Sequence, residues 1–212
     1  MTVRPRVKIC GLTRPADAAL AVSLGANALG FVFWAKSPRA IDPRAAREVH
    51  ADLPPLVSRV GVFVNASPAE VADVVGVAGL DVAQLHGDEP VEAFAGIGAR
   101  IVKVAALERD TDVDDVMTWP SHVMPLVDAV DRTRRGGTGR VADWALAARV
   151  AAVRPILLAG GLTVENVGQA MAMVRPWGID VSSGVEDAPG IKSPARLRAF
   201  FERLAMVAGE DQ

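Results

Sequence analysis

A cysteine and a lysine occupy one face of a predicted β-strand near the start of the chain. Cys10 is the only cysteine, and it follows Val7, Lys8 and Ile9 in an apolar run. Side chains alternate between the two faces of a strand, so Lys8 and Cys10 share the face opposite Val7 and Ile9. If the apolar pair faces covering helices, the thiol and the ammonium point inward as candidate reactive groups. The alternative is that Cys10 is a small core residue, as most single cysteines are.

Two other predicted strands carry polar side chains near their ends. Asp128 shares a face with Met124 and Leu126. A carboxylate is costly to bury without a partner, so Asp128 is either a site residue or a member of a salt bridge or loop cap. Gln84 and His86 share a face in VAQLHG, as candidate ligand-binding residues or as a hydrogen-bonded structural pair. The chain has three histidines and none at ligand spacing from another, so we expect no metal site.

Two glycine-containing segments predict a phosphate site. Gly160 and Gly161 end the seventh predicted strand, and Ser182, Ser183 and Gly184 end the eighth. The loops after these two strands frequently hold a phosphate in (β/α)8 barrels. Glycine allows close approach of the backbone, and free N–H groups at a helix start attract an anion. Either segment alone is also compatible with an ordinary turn, and their joint occurrence favours the phosphate interpretation.

Two loops add further candidates. Gly136 and Gly137, with Thr138 and Gly139, predict a flexible loop able to close over a substrate. Arg39 follows the second predicted strand, where a guanidinium can pair bidentately with a carboxylate. Taken by itself, Arg39 is also compatible with a surface arginine.

These residues need a scaffold that gathers the ends of strands. Apolar runs typical of parallel strands covered by helices occur at residues 7–12, 28–33, 59–64, 82–87, 100–107, 122–129, 155–160 and 178–183. Helix-patterned segments lie between them, at residues 15–24, 43–51, 68–77, 143–153, 164–174 and 194–208, with weaker signals from residues 90 and 110. Eight strand–helix units predict an α/β fold of the closed (β/α)8 TIM-barrel type, formed by a single compact domain over residues 1–212. A doubly wound open sheet is the structural alternative.

Composition limits the possible partners and location. A formal net charge of −2 over 212 residues gives no reason to expect nucleic acid or an anionic membrane as partner. The single cysteine precludes an internal disulfide and fits a reducing cytosol. Residues 18–35 are uncharged, but Ser23, Gly25, Asn27 and Gly30 favour a buried helix–turn–strand over a membrane span. We therefore expect a soluble, cytoplasmic protein with no obligate protein partner evident.

The chain resembles the phosphoribosylanthranilate isomerase family along essentially its whole length. Besides Asp128, the resemblance is carried in order by residues 8–13 (KICGLT), 30–33 (GFVF), 37–41 (SPRAI), 61–65 (GVFVN), 84–89 (QLHGDE), 136–139 (GGTG), 143–144 (DW), 158–162 (LAGGL), 165–167 (ENV), 180–186 (DVSSGVE) and 189–192 (PGIK). Ser193 departs from the family, which often has an acidic residue there, and the loop before Gly136 is unusually rich in arginine. Neither difference touches a residue to which the family assigns chemistry.

The resemblance implies an Amadori rearrangement without a cofactor. The small phosphorylated substrate N-(5-phosphoribosyl)anthranilate becomes 1-(2-carboxyphenylamino)-1-deoxyribulose 5-phosphate in tryptophan biosynthesis. By resemblance, Asp128 is the general acid that opens the furanose ring, and Cys10 is the general base that removes the C2′ proton. Arg39 holds the anthranilate carboxylate, Gln84, His86 and Asp180 contact the substrate, and the glycine-rich segments, including Gly136 and Gly137, hold the phosphate. Lys8 beside Cys10 would favour the thiolate form.

Three other functions remain open from sequence. A sugar-phosphate isomerase barrel with paired aspartates would require an aspartate in place of Cys10. An indole-forming barrel would require a catalytic lysine, for which Lys8 or Lys103 is available. A catalytically silent barrel would keep the phosphate loops but would have no use for Cys10 and Asp128 together.

Overall fold

The computed structural model describes residues 5–128 and 144–210. Its central element is a closed barrel whose strands are β1 (Arg6–Ile9), β2 (Ala28–Val32), β3 (Ser58–Phe63), β4 (Val82–Leu85), β5 (Arg100–Ala106), β6 (Met124–Asp128), β7 (Leu157–Leu158) and β8 (Gly178–Val181). Every neighbouring pair is parallel, and β8 closes onto β1 with Lys8 opposite Asp180. The predicted (β/α)8 barrel is confirmed, and the open sheet is wrong.

Helices surround the barrel. The α-helices within the described ranges are α1 (Pro15–Ser23), α2 (Pro43–Val49), α3 (Pro68–Ala78), α4 (Asp110–Thr118), α5 (Trp144–Ala151), α6 (Val167–Val174) and α7 (Pro194–Glu210). Short 3₁₀ helices follow β4 (Val91–Phe94) and β8 (Ser183–Val185), and a two-stranded hairpin of β9 (Glu186–Ala188) and β10 (Ile191–Lys192) precedes α7. None of the helices in the described ranges is long and apolar enough to cross a membrane.

The core has the two layers expected of such a barrel. Val7, Ile9 and Val127 pack with helix residues in the layer between sheet and helices. The residues that alternate with them face the barrel interior, where Leu126 packs with side chains from β5 and β7. Lys8 and Asp128 therefore lie on the inward face, as the alternation predicts.

Several element boundaries differ from the sequence prediction. The β1 run ends at Ile9 rather than at residue 12, because Gly11 has a φ of +74° that breaks the extended backbone. Helix α6 begins at Val167 rather than at residue 164. The Asn166 side chain accepts the N–H of Thr163 and donates to the carbonyl of Gly161, which fixes a turn in place of a helical turn. The segment from residue 90 forms a short 3₁₀ helix instead of an α-helix.

Candidate active site

Cys10 lies directly beyond β1 at the carboxyl end of the barrel. It is 8% exposed and packs with Val32, Val62 and the partly buried Trp34, which come from β2, β3 and the loop after β2. A side chain at Gly30 would place its Cβ 2.8 Å from the Cys10 sulfur. The glycine on β2 thus leaves the room that the thiol occupies.

A buried ion pair lies beside the thiol. Lys8 Nζ is 2.9 Å from Asp180 Oδ2, and both side chains are less than a tenth exposed. Burial lowers the pKa of Lys8, but Asp180 and Cys10 raise it by more, so the ammonium stays charged. Asp180 Oδ1 is buried and has no hydrogen-bond partner in the described part of the chain. A buried acceptor of this kind is available to a ligand.

The surroundings of Cys10 have opposing effects on its acidity. Burial raises the pKa of the thiol, Lys8 lowers it, Asp180 raises it and Lys192 lowers it. The net pKa lies above the ordinary value of 9.0, because desolvation of the thiolate outweighs the two ammonium groups. Lys8 therefore acts in favour of the thiolate, but burial has the larger effect on the pKa.

This result predicts the outcome of a direct titration. The chain contains one cysteine and no tyrosine, so its far-ultraviolet thiolate absorbance reports Cys10 without interference from tyrosinate. We expect a midpoint above pH 9.0 in the folded protein and a lower one in denaturant. Because the folded state holds this proton more tightly, its contribution to the free energy of unfolding is complete below the unfolded pKa and is lost as the pH rises through the folded pKa. A folded midpoint at or below that of the denatured chain would contradict the burial argument.

Asp128 ends β6 and is connected to Gln84 of β4 through His86, which directly follows that strand. His86 Nε2 lies 3.4 Å from Asp128 Oδ2, and Gln84 Nε2 lies 3.1 Å from His86 Nδ1. If Gln84 donates to Nδ1, the neutral imidazole carries its proton on Nε2, facing the carboxylate. Gln84 is 1% exposed, and its Oε1 has no partner within the described ranges. His86 and Asp128 are each 19% exposed, so both are accessible at the barrel mouth.

Arg39 does not lie free on the surface. Its Nε donates to both oxygens of Glu186, at 2.9 and 3.1 Å, and its Nη2 donates to Oε2 at 2.6 Å. Glu186 also accepts from Lys192 Nζ, at 2.8 Å. Burial raises the pKa of Glu186, but Arg39 and Lys192 together lower it to below its ordinary range. The site thus holds two cations around one carboxylate.

The predicted phosphate loops border a cavity of about 390 Å³. Its lining residues are Gly161, Leu162, Thr163, Val164, Glu165, Ser183, Gly184 and Arg196. A Cβ at Gly184 would lie 1.9 Å from the carbonyl oxygen of Leu162, so only glycine allows the two loops to pack this closely. Gly160 precedes the lining residues with a φ of +82°. The Ser182 hydroxyl instead donates to the carbonyl of Cys10, at 3.1 Å.

The remaining candidates separate into two groups. Gly136 and Gly137, with the rest of that loop, lie outside the described residues. The two lysines of the alternative readings are both held by carboxylates. Lys8 pairs with Asp180, and Lys103 Nζ is 2.7 Å from the carbonyl oxygen of Gly87 and 3.3 Å from Glu89. In the described part of the chain no group of three or more His, Cys, Asp or Glu side chains is arranged to hold a metal ion.

Sequence reasoning missed Glu186, Lys192 and Trp34 as site residues. Glu186 and Lys192 lie in segments that resemble the family, and the Pro189–Gly190 turn between them signals a hairpin. Their contacts could not be read from the chain, because Glu186 meets Arg39 across 147 positions. Trp34 had a weaker signal, as an aromatic residue directly after a predicted strand.

Comparison with known proteins gives a consistent result. The sequence model of the family described as N-(5′-phosphoribosyl)anthranilate (PRA) isomerase matches residues 7–203. The N-(5′-phosphoribosyl)anthranilate isomerase of Pseudomonas putida KT2440 is 46% identical over 201 residues, which cover 94% of this chain and 97% of that protein. The crystal structure of phosphoribosyl anthranilate isomerase from Thermus thermophilus is 43% identical with a TM-score of 0.86, covering 95% of this chain and 99% of that one.

A second solved structure contains a ligand. It is a phosphoribosyl anthranilate isomerase in complex with reduced 1-(o-carboxyphenylamino)-1-deoxyribulose 5-phosphate, with 38% identity and a TM-score of 0.84. The alignment covers 95% of this chain and 99% of that chain.

Proposed function

The chain belongs to the N-(5′-phosphoribosyl)anthranilate isomerase family, and from that membership we propose that Asp128 and Cys10 perform its reaction as general acid and general base. The enzyme isomerises phosphoribosylanthranilate in tryptophan biosynthesis. One observation carries the proposed mechanism. Both residues lie at the carboxyl ends of strands of one closed barrel, Cys10 directly after β1 and Asp128 at the end of β6. Active groups of such barrels lie at this end.

In the first step Asp128 opens the sugar ring. A protonated carboxyl group delivers its proton to the furanose oxygen as the C1′–O bond breaks. The electron pair of the anilino nitrogen then forms the C1′=N bond of a Schiff base. The Asp128 carboxylate left by this step faces His86 Nε2 at 3.4 Å, so a proton on that nitrogen would stabilise the new negative charge.

In the second step Cys10 removes the C2′ proton. The electron pair of the broken C–H bond forms C1′=C2′, and the iminium nitrogen becomes neutral. The resulting enolamine gains a proton at C1′ and loses the proton of its C2′ hydroxyl, which gives the ketone. A thiolate is required, and Lys8 and Lys192 are the groups that favour it against burial.

The two ends of the substrate fit two different sets of residues at the barrel mouth. Arg39 would hold the anthranilate carboxylate, and the apolar patch of Val32, Val62 and Trp34 beside Cys10 suits the aromatic ring. The phosphate would occupy the cavity between the loops after β7 and β8, where glycine backbone and Arg196 are available.

The middle of the substrate carries the ribose hydroxyls. Asp180 Oδ1 and Gln84 Oε1 are buried acceptors without partners in the described part of the chain, and hydroxyl groups can satisfy them. His86, which follows β4 and is more exposed than Gln84, would contact the substrate directly. These contacts complete the substrate-binding set of Arg39, Gln84, His86 and Asp180.

The same proposal covers the setting of the reaction. Acid–base chemistry by these side chains needs no cofactor or metal, and the ligand is a small phosphorylated molecule. We place the enzyme in the cytoplasm, without nucleic acid, a membrane or an obligate partner protein. Isomerisation by the purified chain in buffer alone would support the cofactor and partner parts of this proposal.

Binding of the reduced product analogue tests the substrate site. We expect Arg39→Ala to raise its Kd by about 10- to 150-fold, because losing a charged hydrogen-bonded pair costs about 1.5–3 kcal/mol. The affinity for inorganic phosphate should stay unchanged, since Arg39 lies at the opposite end of the proposed substrate. Isothermal titration calorimetry of wild type, Arg39→Ala and the exposed control Arg44→Ala measures both affinities. An unchanged Kd for the analogue would remove Arg39 as the carboxylate anchor.

A further inference from the structure

The β9–β10 hairpin contains a buried ion pair that the reaction itself does not use. Its register places Lys192 opposite Glu186, and the turn between them has Gly190 at a φ of +79°. The hairpin is fastened to the segment that follows β1. Thr13 Oγ1 donates to the Gly190 carbonyl at 2.6 Å, and Asp17 accepts the backbone N–H of Lys192 at 3.0 Å. The pair therefore has a fixed position relative to Cys10.

All three N–H donors of the Lys192 ammonium have acceptors. Nζ lies 2.5 Å from the carbonyl oxygen of Cys10, 3.2 Å from that of Ser182 and 2.8 Å from Glu186 Oε1. The side chain is 0% exposed, so neither water nor substrate reaches it. A lysine held in this way cannot act as an acid or base on the substrate. What it does instead is bridge the ends of β1 and β8 at the backbone of Cys10.

Glu186 is equally occupied. Its two oxygens accept three hydrogen bonds from Arg39, one from Lys192 and one from the N–H of Gly190. A guanidinium has five N–H donors in one plane, and Glu186 binds the edge formed by Nε and Nη2. In the described ranges no acceptor is found for Nη1. The opposite edge of Arg39 is therefore held in a fixed plane and is open to a second carboxylate.

Stability alone does not account for this pair. Buried ion pairs are often no more stabilising than apolar residues of similar volume, because desolvation offsets the Coulomb attraction. Here each partner contacts a residue that would meet the substrate. Glu186 accepts hydrogen bonds from Arg39, and Lys192 donates one to the carbonyl oxygen of Cys10. Two cations around one carboxylate also leave a net charge of +1, which an anionic substrate group completes.

We propose that Glu186 and Lys192 are positioning residues: Glu186 fixes the guanidinium plane of Arg39 for the substrate carboxylate, and Lys192 holds the end of β1 so that its charge acts on Cys10. This inference rests on the proposed function, because it works through Arg39 and Cys10. The charged groups that act on the thiol are Lys8 on β1, Asp180 on β8, Lys192 on β10 and Arg39 in the loop after β2, and Glu186 on β9 is paired with the last two. Of the cations, Lys192 is the one that the hairpin contributes, and it contacts Cys10 at the carbonyl oxygen.

Glu186→Gln tests the first role. The amide keeps the size of the side chain but accepts fewer hydrogen bonds from Arg39. We expect KM to rise by at least about tenfold, the loss typical of one charge-assisted hydrogen bond, with kcat within a few fold of wild type. Exposed Glu202→Gln is the matched control. A lower KM would overturn the proposal, because it would mean that Glu186 competes with the substrate for Arg39.

Lys192→Met tests the second role through the thiol titration. The midpoint for Cys10 should move to higher pH than in wild type, and kcat near neutral pH should fall by the same factor as the thiolate fraction. Activity should then recover as the pH rises. Lys36→Met, at an exposed lysine, is the control, and Glu186→Gln/Lys192→Met removes both charges if the single variant does not fold. The proposal would be overturned if the variants had lower melting temperatures but the thiol midpoint of Lys192→Met and the KM of Glu186→Gln were unchanged. The ion pair would then only stabilise the fold.

The two proposals fail separately. If wild type does not convert phosphoribosylanthranilate, the proposed function falls, and the thiol titration still decides whether Lys192 acts on Cys10. If wild type is active and neither variant moves its specific readout, the positioning roles fall while the isomerase mechanism stands.

Discussion

The Cys10→Ala variant is expected to lose at least about a hundredfold in kcat while KM changes little, since a positioned base typically contributes 10²–10⁴ in rate. The thiol, directly beyond β1, is the group proposed to remove the C2′ proton, and alanine leaves no base at that position. The small change in KM is expected because the carboxylate and phosphate anchors lie elsewhere, on the loops after β2, β7 and β8. Steady-state kinetics with freshly prepared phosphoribosylanthranilate measures both constants.

The Cys10→Ala variant needs a control that shows it is still folded. Cys10 is buried, so a circular-dichroism spectrum and a melting curve must show that the variant remains folded at the assay temperature. Cys10→Ser is a second variant of nearly the same shape with a far less acidic hydroxyl, and it should be nearly as slow. A folded Cys10→Ala enzyme with most of its turnover would remove the thiol from the mechanism. If a lysine variant lost activity instead, the lysine-dependent alternative would be favoured.

The Asp128→Asn variant should also lose at least about a hundredfold in kcat, because an amide cannot deliver the proton that opens the furanose ring. The substitution keeps the size and hydrogen-bonding capacity of the side chain, so the contact with His86 can be retained and KM should change little. Measuring kcat and KM at several pH values shows whether the loss is uniform, as expected when the acid itself is absent.

Asp114→Asn provides the matched comparison, since Asp114 is exposed on α4 and is not among the proposed site residues. It should retain wild-type kinetics. If Asp128→Asn kept wild-type turnover, Asp128 would have a structural role with His86, and the acid would have to be sought among the other polar residues of the mouth.

The barrel was predictable because its strands carry a strong local signal. The near-continuous apolar runs of a parallel sheet covered by helices recur with helix-patterned segments between them. Element ends were less predictable, since side chains and single backbone angles decide them. Asn166 replaces the first turn of α6 with its own hydrogen bonds, and Gly11 ends β1.

Part of the site also followed from local pattern. Alternation along β1 and β6 correctly placed Lys8 and Asp128 on the inward face, and the loops after β7 and β8 do border a cavity. The partners of these residues could not be found in this way. Lys192 reaches the carbonyl of Cys10 across 182 positions, and no local pattern encodes a contact at that separation.

The acidity of Cys10 shows the same limit in energetic terms. The sequence places Lys8 next to the thiol and so suggests a stabilised thiolate. In the folded structure Lys192 also lowers the pKa of the thiol, whereas burial and Asp180 raise it. The net pKa is raised. The sign of such a balance depends on distances and desolvation, which exist only once the barrel has closed.

Single-turnover conversion of freshly prepared phosphoribosylanthranilate, with wild-type, Cys10→Ala and Asp128→Asn enzyme each in excess, tests the central claim most directly. Loss of anthranilate-type fluorescence follows the reaction, and chromatography identifies the product, because substrate and product are isomers of equal mass. The acid–base mechanism predicts rapid formation of the ribulose product by wild type and at least about hundredfold slower formation by each variant. Equal rates in wild type and either variant, or no ribulose product from wild type, would contradict it.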